Sequence, residues 1–165
     1  MFPPNNDKNP QGVFRGLAGF SMIEILIVIA IIGILLSVAN PTYENFMDKR
    51  DFTKTTQNIL AIQTAIDNFY IRNNYFPDSL EEIDMEELTD AWGTRYYYVN
   101  MSNYNKKTSD IKVRRDKKLK PVNSDYDLYS AGKDTLTKAP FTADVSQDDI
   151  VRCNNGRFLG YARDY

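Results

Sequence analysis

The stretch from Met22 to Val38, MIEILIVIAIIGILLSV, carries a single charged residue, Glu24, and is otherwise almost wholly apolar. Few folds can accommodate it. As a helix, the run from Phe20 to Asn40 would rise roughly 30 Å at about 1.5 Å per residue, which matches the hydrocarbon thickness of a bilayer. A carboxylate in lipid costs about 2.5 to 3.5 kcal/mol on insertion scales, so Glu24, so early in the run, requires a partner or a shallow position. A cleaved secretory signal would end in small residues on the far side of its apolar core, and Ser37, Ala39 and Asn40 form a poor site of that kind. The small residue lies in front instead. Gly19 precedes the run, behind Arg15 and a polar, proline-rich leader, MFPPNNDKNPQG. Lys8 and Arg15 favour a cytoplasmic location for this end, which orients the remainder outward.

The sequence G-F-S-M-I-E, followed by an unbroken apolar run and Pro41, resembles the N-terminal signal of class III prepilins, the type IV pilins and the pseudopilins of type II secretion. The resemblance implies that a prepilin peptidase cuts between Gly19 and Phe20 and that the new amine of Phe20 is methylated. It further implies a helix that holds the subunit in the inner membrane and later forms the core of a helical filament. Glu24 matches the family's glutamate at the fifth mature position, whose implied role in assembly is to neutralise a Phe20 amine on a neighbour or on the same chain. Met22 stands where leucine is usual. The alternative is a plain single-pass anchor in which Glu24 reaches the headgroups from a shallow position.

Beyond Pro41 a helical pattern resumes and persists to about Asn73. Ile59, Ile62, Ile66 and Phe69 recur at steps of three and four, with polar residues between them, so one apolar face is expected against a soluble domain. The expectation is one long helix from Ser21 to Asn73, kinked or loosened at Pro41, with Gly33 a second weak point; two helices broken at Asn40-Pro41 remain the alternative. Asn73-Asn74 and Pro77 stop the helix, and a short helical stretch is expected over Ser79–Leu88. Aromatic residues then mark a strand, Tyr96–Met101, after a turn at Trp92-Gly93; further strands are expected at Asp125–Gly132 and Arg157–Ala162. The polar segment Ser102–Ser124 is expected to form an extended hairpin. The segments D-A-W-G-T-R-Y-Y-Y and S-A-G-K-D resemble motifs of the G-type pseudopilins, with Ala91 in place of a proline. The implied division is a cleaved leader (1–19), a membrane and filament-core helix (20–41), an amphipathic continuation (42–75) and a small β-sheet domain with a C-terminal loop (76–165).

Composition removes most catalytic chemistry. The chain has no histidine and one cysteine, Cys153, so the usual zinc sites, Ser-His-Asp triads and Cys-His dyads cannot be assembled, nor can an intramolecular disulfide. Many type IV pilins close their C-terminal region with such a bridge, so its absence favours the pseudopilin side of the resemblance. No phosphate-binding glycine loop is present, and the chain is not expected to be an enzyme. A net charge of −2 argues against a dedicated nucleic-acid binder.

Two charged constellations remain. The C-terminal carboxylates Asp134, Asp148 and Asp149 are hard oxygen donors of the kind calcium prefers, and the resemblance to G-type pseudopilins implies a calcium site there; the alternative is a solvated acidic loop. The basic run Lys112–Lys120, with Arg114, Arg115, Lys117 and Lys118, is either a solvated hairpin tip or an inter-subunit patch. As a patch it would face the acidic segment Asp78–Asp90, seven acidic residues and no basic one, on a neighbour. Contact of this run with DNA phosphates is a third, lesser use.

The expected fold is therefore α+β and pilin-like, a long N-terminal helix on a small antiparallel sheet. The expected function is structural: subunits polymerise into a periplasmic pseudopilus for protein export, or, as the second reading, into a surface type IV pilus for adhesion, motility or DNA uptake. The partners implied by the resemblance are further copies of the chain, minor pilins or pseudopilins, the prepilin peptidase, an inner-membrane platform protein, an assembly ATPase and, before assembly, membrane lipid. The implied topology is a single pass through the bacterial inner membrane with the C-terminal domain in the periplasm.

Overall fold

A computed structural model describes residues 19–104, 113–117 and 120–165, with the backbone alone at 38–42. Of the segment Ser102–Ser124, where a hairpin is expected, residues 105–112 and 118–119 lie outside the described residues. The chain divides into two compact units, Met1–Tyr43 and Glu44–Tyr165, and helix α1, Met22–Asn73, supplies residues to both.

In the second unit α1 turns one stripe inward. Ile59, Ile62 and Ile66, three and four residues apart, are fully buried, while Leu60 on the same turns is half exposed. The helix ends where Asn74 adopts a left-handed conformation (φ 62°) and donates its N–H to the Tyr70 carbonyl at 2.7 Å. Asparagine tolerates that conformation better than most residues, and Pro77 follows within a turn. The helical stretch expected at Ser79–Leu88 is shorter than anticipated, a 3-10 turn over Leu80–Ile83.

Four antiparallel strands form the sheet in chain order: β1 (Tyr97–Asn100), β2 (Tyr126–Ser130), β3 (Ile150–Cys153) and β4 (Phe158–Tyr161). Tyr98 pairs with Leu128, Tyr129 with Val151 and Val151 with Gly160, which fixes the register across the sheet. Alternation then sorts side chains by face. Tyr98, Tyr126, Leu128 and Ile150 pack with the helix isoleucines, joined by Leu80 and Tyr96. Tyr129, Val151 and Cys153 form a second apolar cluster with Val122, Phe141 and Ala162. β3 is absent from the strands expected from sequence. Unlike β1 and β4, which are of the same length, it carries no aromatic residue to mark it.

The turn before β1 is built around one carboxylate. Asp90, almost fully buried, accepts the N–H groups of Trp92 (3.0 Å) and Thr94 (2.9 Å) on Oδ1 and the Ser130 hydroxyl (2.6 Å) on Oδ2. Thr55 of α1 accepts the Ala91 N–H at 3.2 Å. The D-A-W-G and S-A-G segments, 40 residues apart in sequence, thus meet through the Asp90–Ser130 hydrogen bond.

Truncating a residue of the helix stripe removes apolar contacts and leaves a cavity between helix and sheet. Ile62→Ala is expected to lower the unfolding free energy by about 2 to 5 kcal/mol, and Leu60→Ala by no more than about 0.5 kcal/mol. Denaturant midpoints of the two variants measure the difference.

Candidate functional site

The chain carries no regular structure over Gly19–Ser21 and is helical from Met22. Ser21 accepts the Glu24 N–H on its hydroxyl (3.2 Å), and Glu24 reaches back to accept the Ser21 N–H on Oε2 (3.3 Å). This reciprocal pair is a capping box, which satisfies two N–H groups that a helix start otherwise leaves unpaired. It also places a negative charge at the positive end of the helix dipole. The S-x-x-E spacing carried that signal in the sequence, and the reading of Glu24 by charge alone passed over it. Gly19 and Phe20 sit just outside the capped turn; Phe20 is 77% exposed, and there is open space around Gly19.

Past the cap, the apolar residues are exposed on every side of the helix. Met22, Ile23, Ile25, Leu26, Ile27, Val28, Ile29, Ile31, Ile32, Ile34, Leu35 and Leu36 are all open, and a stripe that buried itself on its own chain would not be apolar all round. Exposed apolar surface on this scale marks a region built for lipid or for other protein. Among the described residues no helix is long and apolar enough to cross a membrane. The apolar side chains described run from Met22 to Ser37, a rise of about 24 Å against the roughly 30 Å of a bilayer core. Pro41 lies within α1.

In the second unit, the C-terminal loop between β2 and β3 is organised differently from the expected calcium site. Asp149 is fully buried, and its Oδ2 accepts hydrogen bonds from Arg114 Nη2 (2.5 Å) and the Thr137 hydroxyl (2.7 Å). Arg114 Nη1 donates to the Thr137 hydroxyl and to the Lys138 carbonyl, each at 2.6 Å. Asp148 accepts the Asp134 N–H at 3.0 Å, and Asp134 accepts the Leu136 N–H at 2.8 Å. Gly132 has a φ of 69° and lies against the Asp148 backbone, where any side chain would collide with the Asp148 carbonyl. Among the described residues no group of three or more Asp, Glu, His or Cys side chains is placed to hold a metal ion. As arranged, the three carboxylates do not converge as a calcium site: Asp149 Oδ2 is paired with a cation while its Oδ1 is buried without a partner, and Asp134 and Asp148 each accept one backbone N–H.

Arg114 therefore leaves the surface patch to which its sequence neighbours assigned it. Its side chain is 2% exposed, with the guanidinium 4.5 Å from the centre of the Tyr129 ring and 4.8 Å from that of Phe141. A basic run read as a solvated face concealed one inward residue, because extended chain alternates sides. Arg115 and Lys117 are exposed, and Lys118 lies outside the described residues. The acidic segment is partly neutralised within the chain, since Arg95 pairs with Glu86 (3.2 Å) and Glu87 (2.5 Å) at the surface. A second buried arginine, Arg152, pairs with Asp125 at 2.6 Å and stacks on Tyr126. Cys153 is buried, and burial pushes its thiol up to about 12, so it is no nucleophile near neutral pH.

Residues 15–40 match the family model for the prokaryotic N-terminal methylation motif. Core protein G of the type II secretion system from Escherichia coli K12 is 29% identical over 137 residues, 81% of this chain and 88% of that protein. The core protein G of Klebsiella pneumoniae is 28% identical over 84% of this chain and 96% of its own length. A type IV major alpha-pilin of Moraxella bovis is 45% identical, but over 49 residues only, 30% of this chain and 31% of the pilin. No solved structure gives a significant match.

Burial raises the Asp149 carboxyl from its ordinary 3.8 to about 6, against the opposing pull of the Arg114 guanidinium and the Thr137 hydroxyl. A folded-state value above the unfolded one means that the folded chain holds the extra proton between about pH 4 and 6. The contribution of this group to stability is then complete below about pH 4 and declines as pH rises through about 6. Urea unfolding of the parent and of Asp149→Asn across pH 4 to 7 is expected to show that decline in the parent and its loss in the variant.

The chain thus carries the N-terminal methylation motif at the start of a long helix, packs that helix on a four-stranded antiparallel sheet, and is similar to core protein G of type II secretion over most of its length.

Proposed function

We propose that the chain is the major pseudopilin of a type II secretion system, a structural subunit that polymerises into a helical filament and acts without catalysis. The observation that carries this reading is the reach of the similarity. Core protein G of two organisms aligns with more than four-fifths of the chain, whereas the resemblance to the Moraxella alpha-pilin covers less than a third of it. A type IV pilus subunit is the second reading, favoured by the higher identity in that shorter stretch and by a 34% match over 80 residues to the type IV major pilin of Myxococcus xanthus.

On this proposal a prepilin peptidase cleaves the exposed Gly19–Phe20 bond and the Phe20 amine is methylated. The apolar half of α1 holds the subunit in the inner membrane with the second unit in the periplasm. Assembly, with a platform protein and an ATPase, then transfers that helix from lipid to contact with other copies. The transfer exchanges one apolar surrounding for another, so packing and the pairing of charged groups, rather than a gain in burial, must select the register. Glu24 is the charge available for it, opposite a Phe20 amine. The exposed acidic segment and the exposed Arg115 and Lys117 are further candidates for contacts between subunits.

Two experiments bear on the proposal. Culture medium from a strain lacking this chain is expected to lose a defined set of exported proteins; unchanged medium would move the assignment to a type IV pilus. Glutamine can complete a capping box but carries no charge, so Glu24→Gln separates the two roles of this residue. The variant is expected to be cleaved at Phe20 and to fold normally, yet to yield few filaments by electron microscopy. Filament yield equal to the parent's would assign Glu24 to helix capping alone.

A further inference from the structure

The oxygens converging on the Arg114 guanidinium are a carboxylate (Asp149 Oδ2), a hydroxyl (Thr137 Oγ1) and a backbone carbonyl (Lys138), at 2.5 to 2.6 Å. A carboxylate, a side-chain oxygen and a carbonyl supplied by one loop are the donor types that a hard divalent cation takes. Here they surround a cation that belongs to the chain. We propose that Arg114 is the resident cation of the C-terminal loop, closing it from within, so that the loop attains its fold without calcium.

Three features support the assignment. The guanidinium is held in one orientation: its two terminal nitrogens reach separate acceptors, and the Tyr129 and Phe141 rings lie within cation–π distance. The backbone of Arg114 is anchored too, its N–H donating to Asp127 Oδ2 at 2.6 Å, while Arg115 donates to the Ala139 carbonyl (3.0 Å) and accepts the Phe141 N–H (3.1 Å). The segment around Arg114 is thus laced along Ala139–Phe141, and its side chain reaches both Thr137 and Asp149, which fastens the middle of the loop to its end. Finally, one carboxylate balances one guanidinium. A divalent ion brought to the same oxygens would meet a fixed positive charge at contact distance in a poorly solvated site, which opposes its binding.

The inference does not depend on which filament the subunit builds, and its test reads metal binding and stability rather than assembly. The full-length chain in detergent would be titrated with calcium chloride by calorimetry, and its thermal unfolding compared in about 5 mM calcium and in excess EGTA. No saturable heat is expected, and the two Tm values should agree within about 1 °C. A saturable calcium isotherm, or a Tm raised by several degrees, would overturn the proposal. Arg114→Met keeps most of the volume but leaves Asp149 buried without its cation, and is expected to lower Tm by about 10 °C or to prevent folding. The double variant Arg114→Met with Asp149→Leu removes both charges and should recover a substantial part of that loss. A single variant as stable as the parent, or a double variant no more stable than the single one, would show that the ion pair does not hold the loop.

Discussion

A four-stranded sheet with two apolar faces needs two covers, and the described chain supplies one long helix. The first face is satisfied simply: Ile59, Ile62 and Ile66 lie over Tyr98, Tyr126, Leu128 and Ile150, and a helix brings its own backbone hydrogen bonds with it. The second face is covered by segments without regular structure, around Arg114, Val122 and Phe141 and along the C-terminal loop. Irregular chain laid over a core carries backbone N–H and carbonyl groups that must find partners, because each one left buried and unpaired costs about 1 to 3 kcal/mol.

The buried polar residues answer that demand. Asp127 accepts the Arg114 N–H and the Asn123 side chain, Asn123 donates to the Arg152 carbonyl, and the Ser146 hydroxyl bridges the Lys138 N–H and carbonyl. Arg114 and Asp149 complete the set as a charged pair. Such a network specifies one arrangement of the loop, although Arg114 Nε and Asp149 Oδ1 are buried within it without partners. Asp90 does the same on the helix side, its carboxylate joining the Trp92 turn to β2 while Thr55 of α1 accepts the neighbouring Ala91 N–H. The fold thus depends on a few buried charges placed where regular structure runs out.

The N-terminal part of α1 poses the opposite problem. Its backbone is satisfied by the helix and, at its start, by the Ser21–Glu24 box, but its apolar side chains find no cover among the described residues. A residue pattern that is apolar all round has no preferred inward face, so this segment is suited to an apolar environment that surrounds it, as lipid and then neighbouring helices would do in the proposed function. The same helix becomes amphipathic further on, where only the Ile59–Ile66 stripe is apolar and fully buried. The change in pattern within one helix matches the change in surroundings that the proposed function requires.

Much of this was legible in the chain. The prepilin-like start, the long helix, the buried isoleucine stripe and three of the four strands follow from local periodicity and from motifs whose meaning lies within a few residues. β3 escaped notice because Ile150–Cys153 carries no aromatic residue to mark it, although the Asn154-Asn155-Gly156 turn behind it, with all three residues at positive φ, is a hairpin signal. The pairing within the C-terminal loop was not legible for a deeper reason. Asp149 and Arg114 are 35 residues apart, and nothing in either neighbourhood distinguishes a buried pair from a metal ligand beside a solvated basic run. The sequence by itself determined which segments are helix and strand and how the N-terminus begins, since those depend on contacts within a turn or a pleat. Only the tertiary structure decided which charges are buried and with whom they pair, because desolvation is a property of the folded surroundings.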